Sequence, residues 1–221
     1  MFNKLFEKKI KKTENEDKWQ VRLDELEKDE GYQTEEILCF IREDDCWPGQ
    51  KCQKYSYKDF NENNENASFR DYLGWKARFE LFYKGKACSQ VLLLCIQDDT
   101  DIYKIKFGTI QSEESLREHG CMTFLVASVI YIMLKDKDLK QKDIEISLDM
   151  SSNAKNILRE KKIDVYHRIF RVPKINNNTR ELSRRTVFEA RNRDKDIDYF
   201  RDVLILKEQE IVEAVSNRKV D

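Results

Sequence analysis

Arg117-Glu118-His119-Gly120-Cys121-Met122 puts a cation, an imidazole, a glycine and a thiol side by side, directly ahead of a long apolar run. A turn of that kind suits anion binding. The first turn of a helix leaves its N–H groups outside the helical hydrogen bonds, and the aligned peptide dipoles add partial positive charge there. A small residue such as Gly120 lets a pyrophosphate approach those N–H groups, and Arg117 adds a charge-assisted contact. The plainer alternatives are a solvated Arg117, an ordinary turn glycine and a surface His119.

A metal centre is the less favoured chemistry. The chain has six cysteines (Cys39, Cys46, Cys52, Cys88, Cys95 and Cys121), no CxxC pair and only two histidines, His119 and His167. Cys88 and Cys95 sit in an apolar, strand-like run, where a free cysteine behaves as a small hydrophobe. Reduced thiols and a cytoplasmic location are the matching expectation.

The apolar run after the turn, Cys121 to Leu134, is fourteen residues long, against the ~20 that a membrane-spanning helix needs. It reads as a buried helix within 116–135, apolar on nearly every face and therefore packed against a sheet. The elements before it are strands. Residues 36–41 form a short apolar run, 78–83 begin with period-two alternation, 88–97 hold a continuous apolar stretch, and 102–112 are again strand-like. Lys84-Gly85-Lys86 and Asp98 to Asp101 supply turns, so these strands predict an antiparallel meander. After the helix, 143–148 alternates cleanly. Ser151 or Ser152 caps a helix over 153–162, and 164–172 is a further strand ended by Pro173. Residues 203–206 are a last strand candidate, and 208–217 a short terminal helix.

The remaining stretches are polar. Residues 1–30 read equally as a charged helix or a mobile tail, and 42–68 as an asparagine-rich connection with a Pro48-Gly49 turn. Trp19, Trp47 and Trp75 read as local core anchors. The N-terminus has no long apolar core of a secretory signal. Of the 221 residues, 38% are charged and 40% hydrophobic, with a net charge of -1. That balance describes a globular chain with a heavily charged surface and no global pull towards nucleic acid or membrane. The local exception is 174–195, where seven basic residues face three acidic ones. It reads as a solvated basic insert or as a surface for nucleic acid or an acidic protein.

With these elements in order, the chain resembles the GNAT N-acetyltransferases. The family's signature, Arg/Gln-x-x-Gly-x-Gly/Ala, lies between its fourth strand and the following helix. Arg117-x-x-Gly120-x-Met122 stands in that place, with Met122 where the family has a small residue. The family continues with a strand and a helix that opens on a polar residue and carries an alanine, matched here by 144–149 and Ser151-Ser152-Asn153-Ala154. The resemblance covers about 76–172. It implies an α/β (α+β) fold, a GNAT-like mixed, mostly antiparallel twisted sheet flanked by helices. As domains it implies a charged segment over 1–30 and one domain over 31–221. Within that domain 76–172 is the best-matched core, 174–198 the basic insert, and 199–217 a C-terminal strand and helix. Residues 1–75 would hold the family's first strand and first two helices, where acceptor contacts usually lie.

The resemblance implies acyl-CoA-dependent transfer of an acetyl group from acetyl-CoA to an amine, on a small molecule or a protein. It implies a cofactor-binding set of Ile110, Ser112, Arg117, Glu118, His119, Gly120, Cys121, Met122, Thr123 and Asn153. Leu158 stands where the family often has a tyrosine that protonates the CoA thiolate, so no catalytic residue carries over. Acetyl transfer needs a base for the amine proton and an acid for the thiolate. Asp149, Glu113 or Glu114 is the candidate base and Tyr166 the candidate acid. A GNAT-like fold that acts only as an interaction module is the competing reading.

Overall fold

A computed structural model describes residues 37–43, 52–55, 76–84, 86–112, 119–149 and 183–217. The described strands are β1 (Leu38–Glu43), β2 (Cys52–Tyr55), β3 (Lys76–Tyr83), β4 (Lys86–Asp98), β5 (Ile102–Ser112), β6 (Asp143–Asp149) and β7 (Ser183–Phe188). The helices are α1 (Cys121–Lys135) and α2 (Arg193–Ser216). The strands form one seven-stranded sheet in the order β2-β1-β3-β4-β5-β6-β7.

The meander expected from the alternation is present. β3, β4 and β5 pair antiparallel in sequence order, and β1 pairs antiparallel with β3. The β5–β6 pair is parallel, from Ile102↔Asp143 to Phe107↔Leu148. A parallel pair needs a crossover, and α1 is that crossover. β7 then closes the far side, antiparallel to β6. The result is the expected mixed, mostly antiparallel sheet with helices.

The character of α1 explains the layering. Thirteen of its fifteen residues are buried, all but Met122 and Lys135. A helix lying on a sheet alone would keep a wet stripe, so α1 needs cover on its other side as well. α2 supplies it through Phe200, Leu204, Ile211 and Val215, all buried in the same core as α1.

α2 corrects the reading of 203–206 as a strand, because those residues lie mid-helix. Val203 and Ile205 favour strand by well under ~1 kcal/mol each. The buried positions 200, 204, 211 and 215 recur at helical spacing, and each buried apolar side chain is worth ~1.5–3 kcal/mol. Burial outweighs propensity. The reading of 174–198 as an insert is corrected too, since Ser183–Phe188 is a paired sheet strand and Arg193 opens α2. β2 is a strand inside what reads as a connection over 42–68. The helix expected over 153–162, the strand over 164–172, the segment 1–30 and Trp19, Trp47 and Trp75 lie outside the described residues.

α1 and α2 run antiparallel. Arg193, at the start of α2, donates from a guanidinium Nη to Leu139 O at 3.0 Å and to Lys142 O, just past the end of α1. Burial pushes the Arg193 guanidinium below its ordinary value, and the carboxylates of Asp143, Asp196 and Asp136 offset part of that. Midway, Tyr131 of α1 lies near Arg201 and Asp198 of α2, and burial raises its phenol. At the other end, Lys207 and Glu210 of α2 reach Gly120.

The helical register gives a direct test. Leu204 is fully buried and Leu206 is 56% exposed, whereas in a strand they would share a face. Leu204→Ala is expected to cost about 2–5 kcal/mol and Leu206→Ala less than about 1 kcal/mol in urea denaturation.

Candidate functional site at the β5–α1 turn

Strand β5 changes character at Gly108. Up to Phe107 it has β4 on one side and β6 on the other; from Gly108 to Ser112 its described partner is β4 alone. Val91 pairs with Ile110 and Leu93 with Phe107, so β5 carries an extra residue at Gly108–Thr109. Such a bulge bends the strand and resets its alternation. Tyr103, Ile105 and Phe107 are buried, and after the bulge Ile110 packs against that same core. Without the bulge, Ile110 would point to the opposite face.

Beyond the bulge Ser112 pairs with Ser89. Their hydroxyls are 3.1 Å apart, and Ser89 Oγ donates to Gln111 O at 2.7 Å. On the β6 side, the backbone of Gly108 to Ser112 has no ladder partner among the described residues. Asp149 ends β6 one position past Leu148, the partner of Phe107, which brings its backbone level with this opening.

Helix α1 starts at the same end of the sheet. Its N-cap is Gly120, with φ 80° and ψ -5°, the left-handed region that glycine adopts without strain. Phe124 N–H donates to Gly120 O at 2.8 Å, the first helical bond. No side chain caps the turn, and its first turn holds no acidic residue. The partial positive charge of the turn is therefore not answered by the helix's own residues.

The predicted site residues separate by what their side chains do. Cys121 and Thr123 are buried, and Met122 packs partly against the core. Cys121 and Thr123 point their side chains into the protein and offer the turn only backbone, while Met122 stays partly exposed. His119 is exposed. The structure brings Ile110, Ser112, His119, Gly120, Cys121, Met122, Thr123 and the backbone of Asp149 to one end of the sheet. Glu113, Glu114, Arg117, Glu118, Asn153 and Tyr166 lie outside the described residues.

Two residues at the turn were not legible in sequence. A Cβ on Gly120 would lie 2.9 Å from Glu210 Oε2 and 3.0 Å from Lys207 Cδ, both on α2. Lys207 Nζ donates to the other carboxylate oxygen of Glu210. Gly120 is therefore required by its backbone angle and by the close approach of α2. A Lys-x-x-Glu helical pair in the sequence is the one signal for these two residues, and the strand reading of 203–206 hides it.

Where the basic stretch is described, Arg193 is buried, while Arg185, Arg191 and Lys195 are exposed; Arg185 pairs with Glu145 at 3.5 Å and Arg191 with Glu189 at 2.9 Å. A shallow depression of about 210 Å³ lies at the β7–α2 junction, lined by residues including Thr186, Phe188 and Lys195. Among the described residues no group of three or more His, Cys, Asp or Glu is placed to hold a metal ion.

The donor set of the turn fits a phosphate-bearing ligand: an uncapped helix N-terminus behind a glycine, next to a strand edge with open backbone groups. The strand before the turn, the helix after it and the strand that follows stand in the order of the resembled family. The fold is GNAT-like. No family model matches the sequence, and no curated protein is similar to it. Solved structures that resemble it include acetyltransferases and a toxin. Arabidopsis thaliana Naa50 with a bisubstrate analogue is 15% identical over 50% of this chain and 72% of its own, with a TM-score of 0.34. A mutant AtaT toxin bound to the C-terminus of the antitoxin AtaR and acetyl-CoA is 13% identical over 72% and 97%, at 0.38. A Bacillus subtilis acetyltransferase with CoA is 20% identical over 54% and 80%, at 0.32.

The turn predicts its own sensitivity. Gly120→Ala places a side chain in the left-handed region, at about 1–2 kcal/mol, and forces Lys207 and Glu210 to move. The variant is expected to lose at least that much stability in urea denaturation. An unchanged midpoint would contradict the turn geometry.

Proposed function

We propose that this protein is an acyl-CoA-dependent N-acyltransferase, a cytoplasmic transferase that moves an acetyl group from acetyl-CoA to an amine. The observation that carries this reading is the conjunction at the end of β5. A bulge frees the strand's backbone from β6 beside a helix N-terminus with no cap of its own. In open α/β sheets, ligands bind outside the carboxyl ends of the strands. Here that place offers backbone donors for phosphate and a strand edge for an amide-bearing arm.

In this reading, the first-turn amides over 121–123, with Arg117, hold the phosphates. The β5 edge at Ile110 and Ser112 aligns the amide-bearing arm, and Asn153 contributes from the following helix. The bound acyl-CoA supplies the activated acyl group as a thioester. Asp149 or Glu113 accepts the proton of the attacking amine nitrogen. As the C–S bond breaks, Tyr166 gives a proton to the thiolate. The acceptor class is an amine on a small molecule, a protein lysine or terminus, or an aminoacyl group. The buried thiols of Cys39, Cys88 and Cys121 suit a reducing cytoplasm. Among the described residues, no helix is long and apolar enough to cross a membrane.

A second reading is a catalytically inactive GNAT-like fold acting as a protein- or nucleic-acid-interaction module. Leu158 at the family's tyrosine place and the Glu210 carboxylate against Gly120 favour it.

Thermal unfolding with acetyl-CoA separates the two. At 100 times Kd a specific ligand stabilises by about 2.7 kcal/mol, so a clear rise in Tm is expected, and Arg117→Ala is expected to weaken it. No shift at millimolar acetyl-CoA would sink the enzyme reading. In an acetylation assay, Tyr166→Phe is expected to lower turnover while leaving CoA affinity unchanged.

A further inference from the structure

Ser89 is a hydroxyl in an apolar place. Its cross-strand partner on β3 is Leu81, whose partner on β1 is Cys39, and all three are buried. The row continues on β5 with Ser112. A buried hydroxyl costs stability unless it is hydrogen-bonded, and Ser89 is bonded twice. Its Oγ donates to Gln111 O at 2.7 Å and lies 3.1 Å from Ser112 Oγ.

A proton count fixes the direction of the second bond. A serine hydroxyl has one proton and two lone pairs. A carbonyl oxygen only accepts, so the Ser89 proton goes to Gln111 O. Ser112 must then donate its own proton to Ser89 Oγ. The single donor of Ser112 is thus used within the protein, and the lone pairs of its oxygen are left for a ligand. Because its O–H points to β4, those lone pairs turn away from β4. They turn to the side where β5, from Gly108 to Ser112, has no described partner. Ser112 is half-buried at that opening, whereas Ser89 is 1% exposed.

We propose that Ser89 is a positioning residue, which holds the Ser112 hydroxyl as a fixed acceptor for an amide N–H of the acyl carrier's arm. This deepens the acyl-CoA reading of the opening and rests on it. An amide is the chemical class that fits. A hydroxyl whose proton is committed gives no bond to a ligand carbonyl, so an arm without N–H gains nothing there. The pair therefore selects an amide-bearing arm over an ester of the same shape.

The test is calorimetric titration of the full chain with CoA and with two CoA analogues. Each analogue has one arm amide replaced by an ester, so that N–H becomes O. The wild type is compared with Ser112→Ala, Ser89→Ala and Ser89→Thr, each first shown by its Tm to be folded. The quantity read is the ratio of CoA affinity to analogue affinity, which a merely structural role would not move. The wild type is expected to prefer CoA to at least one analogue. In Ser112→Ala that preference is expected to shrink by about three- to tenfold, the range of one neutral hydrogen bond. Ser89→Ala frees Ser112 to rotate and donate to an ester oxygen, so the preference shrinks there too. Ser89→Thr keeps the hydroxyl and is expected to restore it. If the wild type binds CoA and the ratios for both analogues stay within twofold of it in Ser112→Ala and Ser89→Ala, the inference is wrong and the acyl-CoA reading stands. A preference that shrinks in Ser112→Ala alone also overturns it, since Ser89 then positions nothing. If none of the four proteins binds CoA, the acyl-CoA reading fails and this inference falls with it.

Discussion

Helix α1 is apolar on every face, and such a helix persists in water only when every face is covered. That requirement organises the molecule. One side of α1 is met by the strand faces bearing Phe79, Leu81, Val91, Leu93, Ile105 and Phe107. The other is met by the Phe200, Leu204, Ile211 and Val215 stripe of α2. An aromatic contact reinforces the seam between α2 and the sheet, with Phe200 edge-on to Phe188 at a centroid distance of 5.6 Å. The polar ties sit where the chain turns. Arg193 ties the loop after α1 to the start of α2, and Asp143 Oδ1 accepts from Ala190 N–H at 2.8 Å.

The same sandwich decides what the α1 turn exposes. Cys121, Met122 and Thr123 are drawn towards the core because the helix they begin is buried all round. The side chains of Cys121 and Thr123 are spent on packing, and what the turn presents there is backbone. The chemistry of the turn is thus that of peptide groups and the helix dipole, with charged side chains brought in from elsewhere. α2 brings Lys207 and Glu210. The Cys121 thiol stands in the turn by sequence, and within the structure it is a small core hydrophobe.

The bulge at Gly108–Thr109 is the second local event on which the site depends. It separates the part of β5 that belongs to the parallel pair from the part that has backbone groups to offer. It also keeps Ile110 on the core face, so the strand bends without losing its apolar anchor. The bulge and the α1 turn lie at the same end of the sheet because a parallel crossover returns to the start of the neighbouring strand. The carboxyl ends of β5 and β6 and the N-terminus of α1 then share one edge.

The fold was legible where periodicity is strong and local. β3, β4, β5 and β6 and the body of α1 follow from alternation and from an apolar run, because burial on one or both faces writes itself into residue spacing. The Gly120 turn was legible as a turn of that kind, on the same local grounds. What tertiary structure alone decided lies at the chain's C-terminal end. Ser183–Phe188 is a strand because β6 needs a partner on its free side, and Val203-Leu204-Ile205-Leu206 is helix because α1 needs a second layer. Neither demand is visible within a few residues of either segment. The same holds for Lys207 and Glu210. They are distant in sequence from Gly120 and meet it only because two antiparallel helices must pack closely where glycine leaves room.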